Sequence, residues 1–205
     1  EWNGFMAPAL IDLPAIFVSL SYRLAPENKF PAALDDVLAG LSWVYHNIAN
    51  HGGDSERLFI GGWSAGAALA ALATVRRDLY GDYDLPDDVI KACVATSCPY
   101  DHRDNNPAPG STTERLQRQL FTKPEHVAQA SAITYVEGLR TPFFISHGEN
   151  DFPHVIATSL AMRDALTEEG CPVEYHVFSG FDHYDNNLDQ GRRGNKWVET
   201  VRQWM

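Results

Sequence analysis

The sequence is short of several things, and each shortage narrows what the protein is. Only three of its 205 residues are cysteines, Cys93, Cys98 and Cys171, and an odd count in a chain this long is no disulfide framework. Cys93 and Cys98 read as lying on one strand at odd spacing, facing opposite sides, so they cannot pair locally. Reduced, buried thiols are the expectation, and they favour the cytoplasm over an oxidising compartment. Basic charge is scarce: 16 Lys and Arg stand against 27 Asp and Glu, a net −11 with His neutral. That balance argues against nucleic acid or an anionic membrane as partner. No apolar run approaches the roughly 20 residues that span a bilayer. A signal peptide is missing at Glu1, which says little because the sequence begins as if within a fold. His and carboxylates fall at no zinc-ligand spacing, so no metal is expected. Repeats, low-complexity tracts and domain linkers are absent too. With 44% hydrophobic residues, residues 1–205 read as one domain able to bury one sizeable core.

What is present is an alternation of strand and helix. Phe5 to Leu13 reads as the end of a helix. Ala15 to Tyr22 is β-rich and apolar on both faces, as in a parallel strand covered by helices. After the turn-rich Arg23 to Pro31, the residues Leu34, Val37, Leu38, Leu41, Val44, Tyr45 and Ile48 recur at helical steps, and Gly52-Gly53 stops that helix. Leu58 to Ile60 is a short buried strand, followed by a helix running to about Leu79. Ile90 to Ser97 is a further strand. Thr112 to Ala132 looks helical but stands outside the alternation, so residues 101–135 are expected to form a cap. Pro142 to Gly148 is a strand running into a loop, His154 to Glu169 a helix, Val173 to Phe178 a strand and Asn195 to Met205 a closing helix. The class is α/β with a mostly parallel sheet and helices on both faces.

The chemistry centres on Gly62-Trp63-Ser64-Ala65-Gly66. It fits G-x-S-x-G between a strand and a helix, the context in which a serine is exposed on a sharp, strained turn. Gly62 and Gly66 are expected to be small because strand and helix pass too close there for side chains. The turn also sets the Ala65 N–H at a helix N-terminus, where it can donate to a developing oxyanion. A serine hydroxyl needs a base, and the base needs an orienting acid. In such sheets the chain order is Ser, acid, His, each on a loop leaving the carboxyl end of a strand. Asp151 fits the acid and His183 the base. Glu149 and Asp101 are rivals for the acid. His147 reads as shaping its loop, His154 and His176 as structural, and His46, His102 and His126 as surface residues.

Tyr22-Arg23-Leu24-Ala25-Pro26-Glu27, Phe30-Pro31-Ala32-Ala33, Asp35-Asp36 and the elbow together resemble the α/β-hydrolase superfamily, nearest its hormone-sensitive-lipase-like carboxylesterases and the related arylformamidases. The resemblance covers nearly the whole chain. It implies Ser64 as nucleophile, Asp151 as acid, His183 as base, no cofactor, and a small-molecule ester or amide as substrate. The block from Tyr22 to Asp36 is then scaffold. Trp63 and Ala67 depart from the esterase branch, which has Asp and Gly there. Asp182-His183-Tyr184-Asp185 is closer to the formamidase branch, so N-formyl aromatic amines are the alternative substrates. A hydrolase-fold protein that binds without turnover is the third reading.

One family feature is missing. The resemblance implies a His-Gly-Gly motif on a strand earlier in the fold, supplying further oxyanion donors. His51-Gly52-Gly53 spells it but ends a helix, so it reads as a helix stop. The strand of that motif lies between the 15–22 strand and the elbow strand in the family. Its loss requires that the two pair directly, that another chain supplies a strand, or that the sequence is the C-terminal part of a longer polypeptide. The last is the expectation, and the 205 residues alone are expected to hydrolyse weakly.

Overall fold

In the computed structural model the described residues are 14–103, 108–188 and 194–204. Strands β1 (Leu58–Trp63), β2 (Ile90–Thr96), β3 (Phe143–Asn150) and β4 (Val173–Asp182) form one sheet in chain order, each neighbouring pair parallel. Parallel neighbours need crossovers, and helices supply them. Helix α1 (Ala32–Asn47) precedes β1, α2 (Ala65–Val75) joins β1 to β2, and α5 (Pro153–Glu168) joins β3 to β4. Between β2 and β3 lie the short α3 (Thr112–Leu120) and α4 (Glu125–Gln129). After β4 come α6 (Asp185–Leu188) and α7 (Lys196–Trp204).

The strands are apolar on both faces because both faces are covered. Cys93, Ala95, Phe143 and Ile145 point into the larger core with α1, α2 and α5. Their neighbours Val94 and Phe144 point the other way, onto Trp197, Val198 and Val201 of α7. Leu34, Val37, Leu38, Leu41 and Val44 form the buried stripe of α1, each contributing about 1.5–3 kcal/mol of transfer free energy before entropy is charged. The buried side of helix α2 carries Ala67, Ala70, Ala71 and Ala73 beside Leu72, Thr74 and Val75, and the four small side chains let it lie close to the sheet. Among the described residues no helix is long and apolar enough to cross a membrane.

Several boundaries differ from the sequence reading. Residues 15–22 form no strand: they pair with nothing in the sheet, and Ile16, Phe17 and Val18 are 46%, 41% and 39% exposed. A β-rich run becomes a strand only where a ladder is offered. Among the described residues nothing pairs with the outer edge of β1, and direct pairing of 15–22 with β1 does not occur. The run expected over 112–132 is two helices, because Phe121 is extended (φ −119°, ψ 145°) and ends the first. Helix α2 stops at Val75, where Arg76 turns to ψ 51°, and a 3-10 turn over Arg77–Tyr83 follows. Strand β2 ends at Thr96, so Cys98 lies beyond it; all three thiols are buried and free. Strand β4 continues to Asp182. The reading of Phe5 to Leu13 falls outside the described residues, as does Met205.

Candidate active site

The elbow is strained where the nucleophile sits. Ser64 has φ 53° and ψ −119°, between the last residue of β1 and the first of α2. A non-glycine residue at positive φ persists only where its surroundings hold it. Here its N–H donates to the Thr96 carbonyl at 2.9 Å, and its carbonyl accepts from Ala68 N–H at 2.9 Å. Gly62 is required: a β-carbon there would lie 2.6 Å from the Gly66 carbonyl oxygen and 2.7 Å from Ala67 N. Gly66 is not small for that reason, because a β-carbon on it would meet nothing within 4 Å. It is the backbone of Gly66 that crowds Gly62. Ala65 is the first residue of α2, so its N–H has no partner within the helix.

His183 and Asp151 converge on this turn from the loops after β4 and β3. His183 Nε2 lies 2.9 Å from Ser64 Oγ, and Nδ1 lies 2.7 Å from Asp151 Oδ1. A carboxylate only accepts, so Nδ1 carries the proton and Nε2 is left as the acceptor facing the serine hydroxyl. His183 and Asp151 are both buried, at 6% and 5% exposure. Burial by itself would raise the Asp151 carboxyl. Hydrogen bonds from His183, from Ser97 Oγ (2.6 Å to Oδ2) and from Phe152 N–H (2.8 Å to Oδ1) outweigh it and hold the group below the usual carboxylate range.

The residues considered as rivals are engaged elsewhere. Glu149 accepts from Ser179 Oγ at 2.8 Å and Gly180 N–H at 2.9 Å, tying the end of β3 to β4. Asp101 holds the guanidinium of Arg103. His147 is buried with Nδ1 donating to the Gly148 carbonyl and Nε2 facing the Tyr175 hydroxyl. His154 stacks on Phe152, and burial, with His183 nearby, lowers its titration. His176 meets Glu174 and stacks on Phe144. His46 lies against Tyr45, His102 against Phe121 and His126 against Phe30. His51 closes a 3-10 turn that Gly52 terminates at φ 82°, the helix stop that its sequence suggested.

Other residues complete the site. Ser97 and Asn186 face the second oxygen of Asp151, at 2.6 and 3.5 Å. Trp63 Nε1 donates to the His183 carbonyl at 3.0 Å, and its ring lies 4.8 Å from the imidazole. Phe152 and Tyr184 complete an aromatic wall, their ring centres 4.5 and 5.6 Å from that of His183. Asp182 accepts from Tyr184 and Asp185 N–H, and Asp185 accepts from Asp182 N–H, which folds the histidine loop on itself. The departures Trp63 and Tyr184-Asp185 were the available signal for this wall.

Comparison with known proteins bears on the family and the fold. Esterase LipQ of Mycobacterium tuberculosis is 32% identical, over 96% of this chain and 48% of its own length. The isoprenylcysteine alpha-carbonyl methylesterase ICME of Arabidopsis thaliana is 28% identical, over 95% and 49%. The chain thus spans about half the length of the curated relatives it matches. An esterase structure from Pyrobaculum calidifontis superposes with a TM-score of 0.78 at 24% identity, covering 98% of this chain and 68% of that one; at that identity the likeness speaks for the fold, which is that of an α/β-hydrolase. The BD-FAE family matches residues 3–166. A strand, strained serine turn and helix inside that match, on a parallel sheet of this topology, place the chain in the BD-FAE family of α/β-hydrolases.

Proposed function

We propose that the protein hydrolyses carboxylic esters through an acyl-enzyme on Ser64. The observation that carries the reading is the unbroken path from Ser64 Oγ through the His183 ring to the Asp151 carboxylate, 2.9 and 2.7 Å in its two steps. Esterases among the relatives support it. Ser64 Oγ attacks the acyl carbon while His183 Nε2 takes its proton. Asp151 holds the imidazole in the required tautomer and stabilises its charged form. The Ala65 N–H, at the head of α2, donates to the tetrahedral oxyanion. His183 then returns the proton to the leaving alcohol, and water, activated by the same histidine, releases the acid. No cofactor enters any step. Residues 101–135 act in this reading as a cap, its helix α3 anchored where Leu120 accepts from Phe30 N–H at 2.9 Å and Lys29 Nζ donates to the Arg118 carbonyl at 2.6 Å, and its helix α4 lying against Phe30 through His126. Free, buried thiols favour a cytoplasmic setting.

A fluorophosphonate probe labels Ser64 in this reading, and a phenyl ester gives a burst of phenol; Ser64→Ala abolishes both. Absence of labelling on the native protein, with retained ligand binding, favours binding without turnover. The aromatic wall of Trp63, Phe152 and Tyr184 motivates a second reading, hydrolysis of N-formyl aromatic amines by the same triad. Turnover of N-formylkynurenine against p-nitrophenyl acetate separates the two.

A further inference from the structure

The end of β2 serves both ends of the triad. The Thr96 carbonyl accepts the Ser64 N–H at 2.9 Å, and the next residue, Ser97, donates its hydroxyl to Asp151 Oδ2 at 2.6 Å. Ser97 itself is fixed: its N–H donates to the Ser146 carbonyl at 2.7 Å, and it is wholly buried. Its φ is +52°, and among the described residues only Ser64 and Asp84 are other non-glycines with positive φ. Two of the three strained positions therefore bracket the Ser64–Asp151 path. Strain of this kind is retained where the side chain it presents is needed. An extended backbone at 97 would carry the hydroxyl away from the carboxylate.

We propose that Ser97 is a positioning residue of the hydrolytic site, whose hydroxyl locks the Asp151 carboxylate by one oxygen and leaves the other aligned on His183 Nδ1. The proposal rests on the reading of Ser64, His183 and Asp151 as a triad. Without the hydroxyl, Oδ2 keeps only the Asn186 amide at 3.5 Å, too long for a firm bond. The carboxylate is then held at Oδ1 alone, by His183 and the Phe152 N–H, and its last torsion is less firmly fixed. It also loses a hydrogen bond that offset its charge, so it stabilises the imidazolium beside it more strongly. The titratable groups facing Asp151 are His183, on the loop after β4, and His154, on α5; Ser97 and Asn186 face it with neutral groups.

The test compares native protein with Ser97→Gly and Ser97→Ala, reading the rate of fluorophosphonate labelling against pH and the melting temperature. Glycine accepts positive φ without a β-carbon clash while removing the hydroxyl, so Ser97→Gly folds even where Ser97→Ala is strained. Both variants are expected to label about tenfold more slowly at neutral pH, with the acidic limb moved to higher pH by the same amount, whichever melts higher. A rate loss that follows melting temperature with an unmoved limb, or an unchanged Ser97→Gly, overturns the proposal. Ser64→Ala is the control: if the native protein does not label at Ser64, the triad reading itself fails. If it labels and Ser97→Gly matches it, only the role of Ser97 fails.

Discussion

A methyl group added at Gly148 would collide with the Phe181 carbonyl oxygen and sit 2.7 Å from its carbonyl carbon and 2.8 Å from Asn186 Nδ2. The two Phe181 atoms are main chain of the β4 end that leads to His183, so they cannot turn aside as a flexible side chain would. Gly148→Ala is therefore expected to cost about 1–3 kcal/mol and to slow labelling of Ser64 by displacing the histidine loop; a thermal melt and a labelling time course read the two effects. Gly66→Ala is the contrasting case. Nothing lies within 4 Å of that β-carbon, and the residue is in helix α2, where alanine is favoured over glycine by about 0.5–1 kcal/mol. Its melt is expected to be unchanged or higher, and a fall as large as that of Gly148→Ala would show that the crowding at the elbow is shared. At this scale Ser64, Asp151 and His183 were legible in the sequence because residue type, chain order and strand-end position coincide. Ser97 was not legible: its role depends on a positive φ and on a carboxylate 54 positions away, and no local pattern encodes either. Gly66 was misread because spacing indicates that two backbones approach but not which α-carbon points into the gap.

The elements that were read well are those whose periodicity is enforced by burial on a defined face. The stripe of α1 is one, and the closing helix α7 is another. Trp197 on α7 is 3% exposed, and its Nε1 lies 3.0 Å from Thr96 Oγ1 and 3.2 Å from Ser146 Oγ, the two hydroxyls being 3.0 Å from each other. The helix is thus fastened to the sheet one residue before Ser97. Trp197→Phe keeps most of the apolar contact and leaves Thr96 and Ser146 to pair with each other, so it is expected to cost about 1 kcal/mol. Trp197→Ala opens a cavity and is expected to cost about 3–5 kcal/mol. Urea denaturation of the two variants measures the gap, and equal losses would mean that the hydrogen bonds, not the packing, hold the helix. The 15–22 run failed as a strand for the converse reason: its residues have the right composition, but a strand is a property of a pair. Propensity along the chain does not reveal whether the neighbouring ladder position is occupied.

For the molecule as a whole, the buried titratable groups set the pH range over which the fold holds. On the acid side Asp151 governs the site: its hydrogen bonds hold it below the usual carboxylate range against the burial that opposes them. A group lowered in the folded state stabilises fully above its unfolded value, about 4, and that contribution is lost as pH falls through the folded value. On the alkaline side the sense reverses. Burial pushes Cys93 up to about 12 and Cys171 up to about 11, and raises Cys98 and Tyr100 as well. An unfolded thiol gives up its proton near pH 8.5, while the folded one keeps it. The unfolded chain therefore gains on the folded one from about pH 8.5 upward, and the thiol's contribution is lost as pH rises toward the folded value. Burial also lowers His102 and His154, so stability measured by denaturant titration is expected to fall as pH drops below about 6.5, to be flat from about pH 7 to 8.5 and to decline above pH 9. Cys93→Ala lowers the plateau slightly, because a small cavity is left, and makes the alkaline decline shallower by the share of one proton. Iodoacetamide should leave all three thiols unmodified in the native protein at pH 8 and react with them in denaturant. An alkaline decline as steep in Cys93→Ala as in the native protein would remove that thiol as a cause and leave the loss to Cys98, Cys171 and the buried tyrosines.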